Sequence, residues 1–164
     1  YFKPIGAHPS AVISENCNDE PNNRLPYITQ TAMGIRPVLR VFGDDYDTPD
    51  CAAVRDYIHV CDLAQAHVKA LSRLIVGQNN EKFEVFNIGT GNGFSVLEVI
   101  DAFERVSGTK LNYKIVDRRP GDVTAVWADT KLANDVLKWS AFRSLDEMVD
   151  SAWKWENKLA NSKK

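Results

Sequence analysis

FEVFNIGTGNGFSVLEVIDAFERVSG, residues 83–108, is the stretch that decides the fold class of this chain. Its first six residues are dense in apolar side chains, which predicts a strand buried on both faces. A glycine-rich turn leads into a predicted helix, with Ser95 and Glu98 spaced as a capping box at its start and Gly108 at its end. A strand that leads through a turn into a capped helix is a building unit of α/β proteins.

The segments on either side continue the alternation of strand and helix. Further strands are predicted over residues 38–42, 57–60 and 111–116. Further helices are predicted from Pro26 to Gly34, from an Asp62 cap to Gly77, from a Thr130 cap onward, and from a capping box of Ser144 and Glu147 to Trp155. The chain is therefore predicted to have an α/β fold.

The chain divides into a loop, a domain and a tail. Residues 1–24 are rich in Pro, Asn and Gly and lack periodicity, which predicts a loop. Residues 25–158 are predicted to form one α/β domain, and residues 159–164 a frayed tail. The length of 164 residues, with 44% hydrophobic and 26% charged residues, is typical of one globular domain. Because Tyr1 and Phe2 open the chain like the end of a strand, we interpret it as part of a longer protein.

The composition argues against several classes of protein. No apolar run approaches the roughly 20 residues that cross a bilayer, and no signal-peptide pattern is present, so a cytoplasmic location without membrane contact is predicted. A net charge of −2 indicates no general attraction to nucleic acid. The odd number of cysteines, without C-x-x-C spacing, favours reduced thiols over disulfides or a metal site; they are Cys17, Cys51 and Cys61.

The glycine-rich turn, residues 89–93, stands where a dinucleotide-binding loop would stand, after a strand and before a helix. Its spacing does not match, because G-x-G-x-x-G requires glycine at the position of Phe94. The acidic residue expected about 20 positions further on is also not clearly placed. We therefore predict a tight turn that leads into the helix and assign no NAD phosphate to it.

Arginines in two segments are candidates for binding a pyrophosphate, because the planar guanidinium can bind two oxygens at once. Arg55 lies between an acidic turn and a short strand. Arg118 and Arg119 follow a strand, in a turn that also holds Asp122, whose carboxylate can accept hydrogen bonds from sugar or ribose hydroxyls. The alternative is that these residues form surface ion pairs.

Two asparagines and one aromatic residue are further candidates for ligand binding. Asn22 and Asn23 precede a predicted helix, so they either help to bind a phosphate at its N-terminus or cap it. Phe42 ends a strand next to a glycine, and it either stacks on a base or belongs to the core.

Together, six segments of the chain resemble the UDP-glucose 4-epimerase family, within the extended short-chain dehydrogenase/reductase superfamily. They are YFKPIGAHPS (1–10), PNNRLPY (21–27), RVFGDDYDTPD (40–50), VRDYIHVCDLA (54–64), FNIGTGNGFSV (86–96) and RRPGD (118–122). Their order and spacing match the family over nearly the whole chain. The RDYIHV run occurs across the superfamily, whereas the NNxxPY and FGDDYDTxD pair is the specific part.

The resemblance implies the C-terminal, substrate-binding part of an enzyme whose N-terminal Rossmann domain binds NAD and supplies a Tyr-x-x-x-Lys pair. Those parts would precede Tyr1, so no catalytic residue and no activity are expected in this chain alone. The implied reaction interconverts UDP-galactose and UDP-glucose through a 4-keto intermediate. In the family, the tyrosine takes the proton of the sugar 4-hydroxyl while hydride passes to NAD, and members are commonly homodimers.

The resemblance also implies roles for individual residues. Phe2 would lie beside the nicotinamide, and Lys3 would touch the substrate at a position where the family usually has Asn. The other residues implied to bind UDP are Asn22, Asn23 and Arg24 at the phosphate and uracil end, Arg40, Val41 and Phe42 at the uracil, Arg55 and Arg119 at the pyrophosphate, and Asp122 at the ribose. Arg24 stands where Leu is common, and its expected contact is through the backbone.

Val126 would line the sugar pocket, where some family members carry Tyr. The smaller side chain leaves room for an N-acetyl group, so UDP-N-acetylhexosamines are predicted as further substrates. Two alternatives remain open: a related nucleotide-sugar dehydratase or UDP-uronate epimerase, and a nucleotide-sugar binding module without chemistry of its own.

Overall fold

The computed structural model describes residues 3–16 and 20–162 and has a mixed α/β fold. Its strands are β1 (Lys3–Ile5), β2 (Leu39–Phe42), β3 (Val54–Arg55), β4 (Tyr57–His59), β5 (Phe94–Ser95), β6 (Tyr113–Val116) and β7 (Ala125–Val126). Its helices are α1 (Arg24–Ala32), α2 (Val60–Ile75), α3 (Val96–Ser107), α4 (Lys131–Leu137) and α5 (Leu145–Ser162). Phe2, implied to lie beside the nicotinamide, and Cys17 lie outside the described residues.

The strands form three small sheets that bring distant segments together. β1 pairs with β4 in parallel, and β2 pairs with β6 in parallel. β3 lies between antiparallel β5 and parallel β7. The β1–β4 pairing places Lys3 next to Tyr57, and the β2–β6 pairing places Phe42 next to Val116, shortly before Arg119 in the sequence.

The main core lies where α1, α3 and α5 pack against β2 and β4. Phe103 on α3 is fully buried, and its ring meets Trp153 of α5 edge-on, with ring centroids 5.4 Å apart. The predicted capping box of Ser95 and Glu98 is present, and Gly108 ends α3 with a positive φ of 68°. A second, smaller cluster packs α2 against α4 around Trp139.

Residues 83–88 do not form the predicted buried strand. Phe83 is 81% exposed and Val85 is 63% exposed, while Phe86 and Ile88 pack on the second cluster. The alternation of exposure along the segment is that of an extended chain, but within the described part of the molecule no backbone hydrogen bond joins it to another segment. A strand needs a hydrogen-bonded neighbour, and the described residues do not provide one.

Three other local predictions differ from the structure. The predicted loop over residues 1–24 contains β1, whose partner β4 is distant in sequence. Helix α5 continues to Ser162, so the predicted tail from residue 159 is largely helical. Helix α2 begins at Val60 and is capped by the His59 ring, which accepts the Cys61 N–H, so the predicted cap Asp62 lies within its first turn, where Arg143 binds its carboxylate.

Within residues 3–16 and 20–162, none of the helices has the length and apolar content needed to span a membrane.

Candidate functional site

A cavity of about 470 Å³ opens where β1, β2, β3, β4, the start of α1 and the segment after β6 meet. This volume suits a small-molecule ligand. Most of the residues that the sequence analysis assigns to substrate binding line it, namely Lys3, Asn22, Asn23, Arg24, Arg40, Phe42, Arg55, Arg119 and Asp122. Residues far apart in the sequence therefore meet around one space.

Two of the assigned residues have side chains outside this lining. Val41 is 1% exposed, and its side chain belongs to the main core, since alternate residues of β2 face opposite sides. Val126 on β7 is in register with Arg55 on β3, next to the cavity. The implied roles of these two valines stay predictions.

Arg55 is held firmly at the cavity wall. Its guanidinium donates to the Val54 carbonyl at 2.7 Å and forms an ion pair with Asp122. The Asp122 carboxylate also accepts a weaker hydrogen bond from the Tyr46 hydroxyl at 3.4 Å. Burial raises the pKa of Tyr46, and the negative charge of Asp122 adds to this effect, so the hydroxyl keeps its proton.

The two arginines after β6 have different positions. Arg118 turns away from the cavity, pairs with Asp45 and stacks on the Tyr46 ring with 3.8 Å to the centroid. Arg119 lines the cavity and stacks on the Phe42 ring, also with 3.8 Å to the centroid. Of the two alternatives weighed from the sequence, ion pairing thus describes Arg118, whereas Arg119 faces the cavity.

The start of α1 forms one end of the cavity. Asn23 is the N-cap residue, but its side chain makes no cap hydrogen bond and donates instead to Glu15 at 3.1 Å. The first N–H groups of the helix are therefore not capped by this side chain, and they carry the partial positive charge of the helix dipole. Asn22 is exposed at the same edge.

The cavity has an excess of positive charge. Two arginines have acidic partners: Arg55 pairs with Asp122, and Arg36 lies 3.7 Å from Glu20. The other cations at the cavity have no carboxylate within ion-pair distance among the described residues; they are Lys3, Arg24, Arg40 and Arg119. An anionic ligand would neutralise this excess.

The glycine-rich turn binds a carboxylate of the protein itself. Asp56 is fully buried and accepts hydrogen bonds from Thr90 N at 2.9 Å, Gly91 N at 3.1 Å and Ala128 N at 3.2 Å. A Cβ atom at Gly89 would lie 2.3 Å from Asp56 Oδ2. The turn over residues 89–93 thus binds the Asp56 carboxylate and leads into α3, and the prediction that it binds no NAD phosphate stays a prediction.

A second cavity, of about 340 Å³, lies between α1 and α5 beside Ile5. Glu15 and Glu156 line it, and no arginine or lysine does so among the residues that the structure describes. Thr29 donates a hydrogen bond to the Glu156 carboxylate at 2.7 Å. This space is therefore unsuited to a phosphate.

Sequence reasoning missed several residues at the cavity, including Tyr27, Arg36 and Tyr57. Arg36 stacks on Tyr27 with 4.5 Å to the ring centroid, and both residues line the cavity. Tyr57 is 2% exposed, and its hydroxyl lies beside Arg24. Tyr57 belongs to the VRDYIHV run and lies two positions after Arg55. In an extended chain both side chains then face the same side, and this spacing could have predicted Tyr57 at the cavity.

The fold brings distant segments together around a cation-lined cavity, and comparison with known proteins shows the family to which the chain belongs. The sequence profile of the GDP-mannose 4,6-dehydratase family matches residues 15–152. The chain belongs to this family. A UDP-glucose 4-epimerase from Pasteurella multocida (strain Pm70) is 49% identical over 158 residues, which are 96% of this chain and 46% of that protein.

Solved structures of UDP-glucose 4-epimerases are also similar to this chain. A UDP-glucose 4-epimerase from Stenotrophomonas maltophila, with bound NAD and formylated UDP-arabinopyranose, superposes with a TM-score of 0.93 at 44% identity, covering 98% of this chain and 47% of that one. One from Bifidobacterium longum, in complex with NAD+ and UDP, gives 0.90 at 43% identity, with coverages of 98% and 47%. The resemblance inferred from the motifs is confirmed, and the chain spans about half the length of these relatives.

Proposed function

We propose that this chain is the C-terminal, UDP-sugar-binding part of a UDP-glucose 4-epimerase. The observation that carries the proposal is the cation-lined cavity, in which Arg55, Arg119 and the start of α1 converge. Similarity to UDP-glucose 4-epimerases over nearly the whole chain supports the same conclusion.

Each part of the cavity suits one part of a UDP-sugar. Arg55 and Arg119 bind the two phosphates, with Arg55 oriented by Asp122. Phe42 stacks on the uracil. Because the Arg119 guanidinium lies over the Phe42 ring, it must either move off this ring or stack on the opposite face of the uracil. Asp122 accepts hydrogen bonds from the ribose hydroxyls.

The sugar end of the cavity holds Lys3 and lies near Val126. Strong binding of the nucleotide with weaker contacts to the sugar suits a reaction in which the sugar must rotate to present its other face. The small Val126 side chain leaves room for an N-acetyl group, so we include UDP-N-acetylhexosamines among the substrates.

We further propose that the catalytic residues and the NAD site belong to a preceding Rossmann domain, in an enzyme that acts as a homodimer. Two observations support a longer enzyme. The chain spans 46% of the length of the Pasteurella relative. Residues 83–88 are extended, apolar and without a strand partner in the described part of the chain, as expected if another part of the enzyme covers them.

The test is the activity of the full-length protein that contains these residues. It should interconvert UDP-glucose and UDP-galactose, and Arg119→Ala should raise KM for UDP-glucose by about 10-fold or more, because a charge-assisted contact to phosphate is lost. Arg105→Ala, an equal charge change outside the cavity, is the control. Absence of interconversion by the wild type, or an unchanged KM in Arg119→Ala, would contradict the proposal.

The same assay tests the sugar range. UDP-GlcNAc should be converted. Val126→Tyr should reduce the activity on UDP-GlcNAc and leave the activity on UDP-glucose unchanged. No turnover of UDP-GlcNAc by an enzyme that converts UDP-glucose would contradict the N-acetylhexosamine proposal alone.

A further inference from the structure

The Arg24 side chain lies in the wall of the cavity, although the sequence suggested that only its backbone would meet a ligand. Arg24 is the first residue of α1, and its side chain crosses toward β2 and β4. Its guanidinium reaches the Arg40 carbonyl at 3.5 Å and lies beside the Tyr57 hydroxyl. Both of these groups are neutral.

Burial lowers the pKa of the Arg24 guanidinium. Tyr57 and Asp122 act in the opposite direction, whereas the positive charges of Arg119 and Arg55 lower the pKa further. A partly desolvated cation that is crowded by other cations is costly unless an anion lies among them. Asp122 is the nearby carboxylate, and it is already paired with Arg55.

Other arginines of the chain with little exposed side chain differ from Arg24 in having acidic partners. Arg143 pairs with the fully buried Asp62, and Arg73 makes two hydrogen bonds of 2.9 Å to Glu84. An arginine with a purely structural role is expected to have such a partner. Among the described residues, Arg24 has no carboxylate within ion-pair distance.

We propose that the Arg24 side chain is a third ligand-binding cation, which with Arg55 and Arg119 holds the diphosphate of the nucleotide sugar. The inference rests on the proposed function, because it places the diphosphate in the same cavity. Its consequence is a steep dependence of affinity on the number of phosphates. The Arg24 fork adds hydrogen bonds to phosphate oxygens and none to the uridine.

The experiment measures the affinity of the full-length protein for uridine, UMP and UDP by calorimetry. Arg24→Leu should weaken UDP binding by about 10- to 100-fold, the range of a lost charge-assisted contact, and leave uridine binding unchanged. The affinity of Arg24→Lys for UDP should lie between those of the wild type and Arg24→Leu, because lysine keeps the charge and lacks the planar guanidinium. Arg105→Leu, with the same charge change on the surface of α3, should bind UDP as the wild type does.

The outcomes separate this inference from the proposed function. If the wild type does not bind UDP, the proposed function fails. If UDP binding depends on Arg119 but is unchanged in Arg24→Leu, the inference fails alone. If Arg24→Leu weakens uridine and UDP equally, Arg24 does not act on the diphosphate and the inference is overturned. If the leucine variant does not fold, Arg24→Lys decides, since wild-type affinity for UDP in that variant contradicts a role for the fork.

Discussion

At the scale of single residues, His59 shows how a pair of potentially catalytic side chains serves the fold. Its Nδ1 accepts the Cys61 N–H at 3.0 Å, so the ring carries its proton on Nε2, which faces Ser151 Oγ at 3.2 Å. Ser151 donates its own proton to the Met148 carbonyl and accepts the Ala7 N–H, both at 3.0 Å. The histidine therefore cannot act as a base toward this serine, and the pair joins β4, α5 and the segment after β1.

His59 should make stability depend on pH. Burial lowers the pKa of the ring below its usual 6.5, and Arg143 adds to this, against smaller effects of Asp62 and Glu147. Between the folded-state pKa and 6.5 the unfolded chain binds more protons, so the free energy of unfolding falls as pH falls through this window. Urea denaturation at several pH values measures the slope.

The variant His59→Gln should flatten that slope, since the titrating ring is removed. His67→Gln on the exposed side of α2 is the matched control and should keep it. An unchanged slope in His59→Gln would show that other groups cause the acid sensitivity.

At the scale of elements, the sequence predicts the starts of α3 and α5 because the chemistry of a capping box is local. Both capping boxes are present, at Ser95 with Glu98 and at Ser144 with Glu147. Each needs only two side chains three positions apart and the backbone between them.

Predictions from the sequence were wrong where the local structure depends on a residue that is distant in the sequence. The Asp62 carboxylate has the local pattern of a cap but is bound by Arg143, 81 positions away. Residues 83–88 have the composition of a buried strand, yet burial also requires neighbours that the described residues do not supply. The candidate site follows the same rule: the motifs pointed to its residues, but whether Arg24 faces the cavity depends on the fold.

The second capping box gives a prediction for α5. Ser144→Ala removes the hydrogen bond that Glu147 N donates to Ser144 Oγ at 3.2 Å. The free energy of unfolding should fall by about 1 kcal/mol, measured by urea denaturation. Ser140→Ala, an exposed change just before the helix, should have no comparable effect. Equal stability of the two variants would show that this cap contributes nothing.

At the scale of the whole molecule, exposed apolar side chains are concentrated on α2 and the segment that follows it. They are Val68, Leu71, Leu74, Ile75, Val76, Phe83 and Val85. Single exposed apolar residues are common, but a group of this kind is typical of a surface that contacts another part of a protein. This agrees with the proposal that the chain is part of a longer enzyme.

The 164-residue chain alone should therefore self-associate. Leu71→Lys places a charge on the exposed apolar face of α2 and should reduce association, as measured by sedimentation velocity over a range of concentrations. Gln65→Lys adds the same charge at an exposed polar position of the same helix and should leave association unchanged. Equal effects of both variants would indicate that net charge, and not the apolar surface, controls association.

The buried Asp56 carboxylate has a consequence for the order of folding. It joins residues 34 and 72 positions away in the sequence, at Thr90 and Ala128. Closing such long loops costs entropy, and an anion loses its water favourably only after all of its donors have arrived. We expect these bonds to form after the folding barrier, so loss of the carboxylate should mainly speed unfolding. The lifetime of the folded chain would then depend on a fully buried side chain outside the lining of the cavity.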